Sequence, residues 1–192
     1  VIAAALSVQD PRERPMTERE AADQAHAKFK DDKSEFMSYM KLWRWYHDEY
    51  ANRKSQRRFA EMLRQNFVSP LRMREWRDVH TQLAELAKEQ GWRAKASAAT
   101  GLLGNIGLRS DDGNQYQGAR DIRFFVHPGS DLVKKGGRWI VAGELVETSR
   151  LFARCVARIE PGWIERVGAH LIRRSWSDPR WEKRSGQVVA NE

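Results

Sequence analysis

The sequence predicts an α+β chain, an N-terminal helical bundle followed by a small, partial β-barrel with an inserted helix. Three observations lead there. Between Ser34 and Arg53, Phe36, Met40, Trp43, His47 and Tyr50 recur at helical spacing, with Tyr39 and Tyr46 beside them, which is the stripe a helix buries against its neighbours. From Gly118 to Ser130, and again from Arg150 to Glu160, side chains alternate with the period of two that belongs to a strand. Pro128-Gly129 and Pro161-Gly162 punctuate these runs as turn or helix-start signals.

Taken in order, Val1 to Val8 reads as the end of a helix, and Gln9 to Pro15, with two prolines among alternating charges, as an irregular connector. Thr17 followed by Glu20 has capping-box spacing, so a largely solvated helix is expected from about Glu18 to Phe29. The aromatic helix from Ser34 follows. Ser55 opens a shorter helix with Phe59, Met62 and Leu63 inward, and Ser69-Pro70 opens another that runs through Met73, Trp76, Val79, Leu83 and Leu86 to Gly91. These segments form a helical domain over residues 1–91.

Trp92 to Thr100 is a compositional break, and residues 92–192 form the second domain. Strands are expected at about Tyr116 to His127, Trp139 to Glu147 and Arg150 to Glu160, with a helix from Pro161 through Ile164, Val167, Leu171 and Ile172. Short strands with one helix suggest a barrel of the OB type. In the first strand Ile122, Phe124 and Val126 share one face while Arg123, Phe125 and His127 share the other. In the third, Leu151, Ala153, Cys155, Ala157 and Ile159 make a small apolar face for the barrel interior, leaving Arg150, Phe152, Arg154, Val156 and Arg158 opposite.

Charge points in the same direction. The net charge is +8, of which +2 falls on residues 1–91 and +6 on residues 92–192, so the excess that would attract a polyanion sits with the strands. Guanidinium groups interleaved with rings suit single-stranded nucleic acid, since rings stack on bases and cations follow phosphates. Lys134-Lys135-Gly136-Gly137-Arg138 reads as a mobile cationic loop between two strands, and Arg173, Arg174, Arg180, Lys183 and Arg184 as a second basic cluster around Trp176 and Trp181.

No catalytic constellation closes. Gly101-Leu102-Leu103-Gly104-Asn105-Ile106-Gly107 lacks the Lys-Ser or Lys-Thr pair of a phosphate loop, the five histidines have no metal-ligand spacing, and Glu144 and Glu147 would point to opposite faces of a strand. The single cysteine, Cys155, leaves no intrachain disulfide and reads as buried filler in a reducing, cytoplasmic setting. No apolar run reaches the roughly 20 residues needed to span a bilayer. The chain opens inside an apolar run and closes on a strand-like segment, so a piece of a longer polypeptide is expected.

Several short segments also resemble a known family in collinear order. Val1 to Pro15, Arg72-Met73-Arg74-Glu75-Trp76 with Asp78, His127-Pro128-Gly129-Ser130, Glu144 to Leu151, and Ile159-Glu160-Pro161-Gly162-Trp163-Ile164 are together similar to the C-terminal region of bacterial DEAH-box ATP-dependent RNA helicases of the HrpA type. The resemblance implies a helicase-associated helical bundle joined to an OB fold, closing over single-stranded RNA while motor domains of the same polypeptide step along it. It implies ATP and magnesium as cofactors of the parent protein, and none for this chain, which has no Gly-Lys-Thr or Asp-Glu-Ala-His motif. The stretch after Gly91 is shorter than the family's, and the chain stops before further barrel strands, so an open strand edge is expected.

The RNA contacts expected from strand phase and charge are Arg123, Phe125, His127, Lys134, Lys135, Arg138, Arg150, Arg154 and Arg158, with Arg72 and Arg74 as secondary candidates on the bundle. The alternative is a stand-alone RNA-binding module, or a protein-docking module using the aromatic stripe and the open edge.

Overall fold

A computed structural model describes residues 1–89, 102–111, 113, 115–169, 177–182 and 187–191. The helical part comprises α1 (Ile2–Leu6), α2 (Arg19–His26), α3 (Glu35–Ala51), α4 (Gln56–Gln65) and α5 (Pro70–Glu89). Ser34 and Ser55 cap α3 and α4, their side chains accepting from the N–H groups of Met37 and Arg58. The capping box expected at Thr17 does not form: α2 starts one residue later than expected, after Glu18, without a side-chain cap.

The aromatic stripe of α3 is the core. Trp76 of α5 is fully buried with its ring 4.8 Å from Trp43 and edge-on to Tyr39 at 5.8 Å. Its indole N–H donates to the Val1 carbonyl at 3.2 Å, tying α1 to α5. The connector after α1 is laced onto the α4–α5 turn, where Glu13 N–H donates to the Phe67 carbonyl and Ser69 N–H to that of Pro11, both at 2.8 Å. The stripe on α5 fades earlier than its spacing suggests. Leu83 and Leu86 are 40% and 52% exposed, so the apolar spacing runs on past the buried part of this helix.

The barrel is built of β1 (Ile106–Arg109), β2 (Gln115–Gly118), β3 (Arg123–Val126), β4 (Trp139–Glu147) and β5 (Leu151–Arg158). It closes in the order β1-β2-β3-β5-β4, with β4 returning to β1. All pairings are antiparallel except β3 with β5, where Phe125 lies opposite Phe152 and Val126 opposite Ala153 in parallel. The α+β class and the OB-type barrel are as expected, but the barrel is complete, not partial. The expected first strand divides into β2 and β3, and β1 adds a further short strand, so no open edge is left in the barrel. Helix α6 (Pro161–Gly168) follows β5 instead of entering between barrel strands, and β6 (Ser177–Glu182) pairs with β7 (Gln187–Asn191) as a separate hairpin. The expected domain boundary and the basic residues Arg173, Arg174, Lys183 and Arg184 lie outside the described residues.

The alternation expected along β5 fails at one residue. Cys155 adopts φ +52, the left-handed region that a non-glycine residue rarely enters. The phase of the strand inverts there. Ala153 and Val156 both reach the barrel core, beside Tyr116, Phe124, Val126 and Ile140, while Ala157 turns outward to Phe36 of α3 and Val141. Val156, expected outside, is therefore inside, and Cys155 and Ala157 change sides with it. The Val156 N–H donates to Oε2 of Glu35 at 2.6 Å, so a side chain from the helical part meets the backbone where the strand is disturbed. Arg158 N–H, next along, donates to the Lys33 carbonyl at 2.9 Å.

Candidate nucleic-acid interface

The short parallel seam of the barrel brings the expected residues together. On β3, Phe124 and Val126 are buried, so the pleat turns Arg123 and Phe125 outward. Parallel pairing with β5 sets Phe125 beside Phe152, ring centroids 6.3 Å apart. The Arg150 guanidinium lies over Phe125 at 5.1 Å, and the His127 ring stands edge-on to Phe152 at 5.8 Å. His127 is held by its own turn, Nδ1 accepting from Gly129 N–H at 3.0 Å, while its backbone N–H donates to the Ala153 carbonyl. Two partly buried rings, with the Arg150 guanidinium and the His127 ring against them and Arg123 on the same face of β3, offer a stacking surface. Phe152 is the member that residue-by-residue selection from the sequence left out, although its place on the outward face of the third strand was visible.

The other candidates divide. Arg154 is exposed and faces Glu144 at a loose 3.4 Å. Arg158 is turned away from that surface, donating to the Lys135 carbonyl. The loop expected to be mobile is anchored: Leu132 is fully buried, Tyr116 Oη donates to the Gly137 carbonyl at 2.9 Å, and Arg109 donates to that of Gly136. Lys135 is paired with Asp32 at 2.9 Å and Lys30 with Asp131 at 2.8 Å, clipping the loop to the helical part. Lys134 and Arg138 remain exposed on it. On α5, Arg72 is half-buried and donates to the Asp10 carbonyl at 3.0 Å, whereas Arg74 is exposed and is not brought to the same place.

Between the helical part and the barrel lies a cleft of about 580 Å³ that takes His127 and Arg154 from the barrel and Arg12 and Arg72 from the helical part. Its floor is an ion pair. Arg12 holds both carboxylate oxygens of Asp10, at 3.0 and 2.7 Å, and the Tyr39 hydroxyl donates to the same carboxylate at 3.2 Å. Burial alone would raise the Asp10 pKa, but the charge and hydrogen bonds of Arg12 prevail and hold it below the usual carboxylate range. The Cys155 thiol at the edge of this cleft is pushed well up by burial, which makes it a poor nucleophile. Among the described residues no group of three or more His, Cys, Asp or Glu could hold a metal ion, and no helix is long and apolar enough to cross a membrane.

Residues 94–172 match the family described as the oligonucleotide/oligosaccharide-binding (OB) fold. The chain is 43% identical over 202 aligned positions to the ATP-dependent RNA helicase HrpA of Escherichia coli strain K12, covering all of this chain and 16% of that protein. It is 41% identical, also over its whole length, to the HrpA homolog of Haemophilus influenzae, covering 15% of it. Similarity extends at 24% identity, over 86% of this chain, to the pre-mRNA-splicing factor ATP-dependent RNA helicase prp22 of Schizosaccharomyces pombe. The chain thus spans about a sixth of the length of the HrpA relatives, and the family resemblance carried by its short motifs holds along its full length.

Proposed function

We infer that this chain, which is related along its whole length to the HrpA-type RNA helicases and carries their OB fold, is an accessory region that grips single-stranded RNA for the motor domains of a longer DEAH-box polypeptide. The observation that carries the reading is the outward Phe125–Phe152 pair on the parallel seam, with Arg150 over one ring and His127 against the other. Bases stack on the rings while Arg123 and Arg150 neutralise phosphates, giving affinity with little dependence on sequence along this surface. Lys134 and Arg138 extend the basic rim on the anchored loop, and Lys135 joins them when its exposed pair with Asp32 opens. ATP and magnesium act in the parent protein's motor, while this region keeps hold of the strand.

The test is titration of a labelled single-stranded RNA at several salt concentrations. Phe125→Ala with Phe152→Ala should weaken binding by about 1–3 kcal/mol for each base unstacked. Arg123→Ala and Arg150→Ala should each lower the slope of log affinity against log salt by about 1. Binding that ignores salt and both ring substitutions would leave a protein-docking module as the better account.

A further inference from the structure

The stacking surface does not end in open solvent. His127 belongs both to it and to the wall of the cleft between barrel and helical part, so a strand lying on Phe125 and Phe152 is led to the cleft mouth. The charges there are balanced. The guanidinium groups of Arg12, Arg72 and Arg154 share the lining with the carboxylates of Asp10, Glu35 and Glu144. A phosphate would meet as many carboxylates as cations, so the cleft is poorly suited to the backbone. A neutral group presenting donors and acceptors on adjacent edges suits it, and the volume of about 580 Å³ lies in the range of small-ligand sites.

We propose that this cleft is a nucleobase pocket that selects guanine from the strand held on the barrel, a proposal that rests on the RNA-binding reading above. Asp10 is committed to Arg12 and Tyr39, and Glu35 to Val156 N–H. Glu144 and Arg154 are free to rearrange: their 3.4 Å contact is loose and both side chains are about half exposed. Guanine offers two neighbouring donors, N1–H and the N2 amine, to a carboxylate, and two neighbouring acceptors, O6 and N7, to a guanidinium. Glu144 takes the donors, and Arg154 or Arg72 takes the acceptors. Adenine puts an acceptor at N1 where the carboxylate stands. Uracil has one donor between two acceptors, and cytosine has one amine beside an acceptor; neither matches the pair.

The experiment compares the chain's affinity for an all-uridine 12-mer with that for the same oligonucleotide carrying one central guanosine or one central inosine. Guanosine should tighten binding about tenfold, which is within the range for one base read by two hydrogen bonds. Inosine, lacking the N2 amine, should recover only part of that gain, a readout that needs no protein variant. In Glu144→Ala the ratio of guanosine to uridine affinities should fall close to one. Equal affinity for the guanosine and uridine oligonucleotides overturns the pocket and leaves the gripping surface standing. Preference retained in Glu144→Ala, or inosine equal to guanosine, overturns it as well. Absence of binding to every oligonucleotide overturns both the pocket and the RNA-binding reading on which it rests.

Discussion

Gly107 has no room for even a methyl group. A Cβ there would overlap Cζ of Phe124 and sit 3.0 Å from Cβ of Tyr116, and those two rings are buried and stacked with centroids 6.0 Å apart. Gly107→Ala should therefore lower stability by about 1–3 kcal/mol in urea unfolding, the usual cost of overpacking. His26 makes a second prediction. It is 7% exposed, and burial lowers its pKa, against the raising effect of the hydrogen bond its Nε2–H donates to the Phe67 carbonyl at 3.0 Å. The folded state keeps the ring neutral, while the unfolded chain takes up a proton near pH ~6.5. Its contribution is thus complete above that pH and is lost as the pH falls toward the lowered folded value. His47 and His80, also lowered by burial, act in the same direction. His26→Gln, which keeps a donor, should flatten the fall of the melting temperature between about pH 7.5 and 5.5. At this scale the phase of β3 was legible, because Phe124 and Val126 against Arg123 and Phe125 make a clean alternation. The inversion at Cys155 was not: positive φ in a non-glycine residue is imposed by the tertiary contacts around it and leaves no mark on the local pattern.

Caps separate the elements that direct their own start from those that do not. Ser34→Ala should cost about 0.5–2 kcal/mol, since its hydroxyl accepts from the first turn of α3. Thr17→Ala should change stability by less than about 0.5 kcal/mol, because no side-chain cap forms at α2. Both values follow from chemical denaturation of the single variants. The long helices α3 and α5 were readable because each carries enough turns to show its spacing, although Leu83 and Leu86 show that spacing alone does not bury a side chain. The strand β1 begins inside a glycine-rich run and was not among the expected strands, and β2 was read as one strand with β3, so three strands were legible where the barrel has five. The loop after β3 read as mobile because its charges are on show. Its anchors, Leu132 and the acceptor carbonyls of Gly136 and Gly137, are a single apolar residue and backbone groups that composition does not reveal.

At the scale of the whole molecule, helical part and barrel share a core. Phe36 packs with Val141 and Ala157, and with Ile2 and Leu6 of α1. Gly143 lets the two surfaces approach, since a Cβ there would meet Leu6 Cδ2 at 2.9 Å. Unfolding followed through amide resonances of the helices and of the barrel strands should give coincident transitions. Phe36→Ala, at about 3–5 kcal/mol for a large aromatic truncation, should lower the midpoint and separate the two curves. This junction was invisible in the sequence, because the residues that make it come from opposite ends of the chain.

The parallel seam that closes the barrel also sets the order in which the chain can be assembled. The strands β4 and β5 meet through a tight local turn, with Thr148 N–H donating to the Arg150 carbonyl at 3.0 Å, whereas β3 must wait for a partner on the far side of that hairpin. Contacts distant in sequence form slowly because their loop must be closed before they contribute. During synthesis β3 leaves the ribosome with one backbone edge unpaired and keeps it so until Phe152 and Ala153 emerge. In that interval the nascent chain is exposed to pairing with the wrong strand.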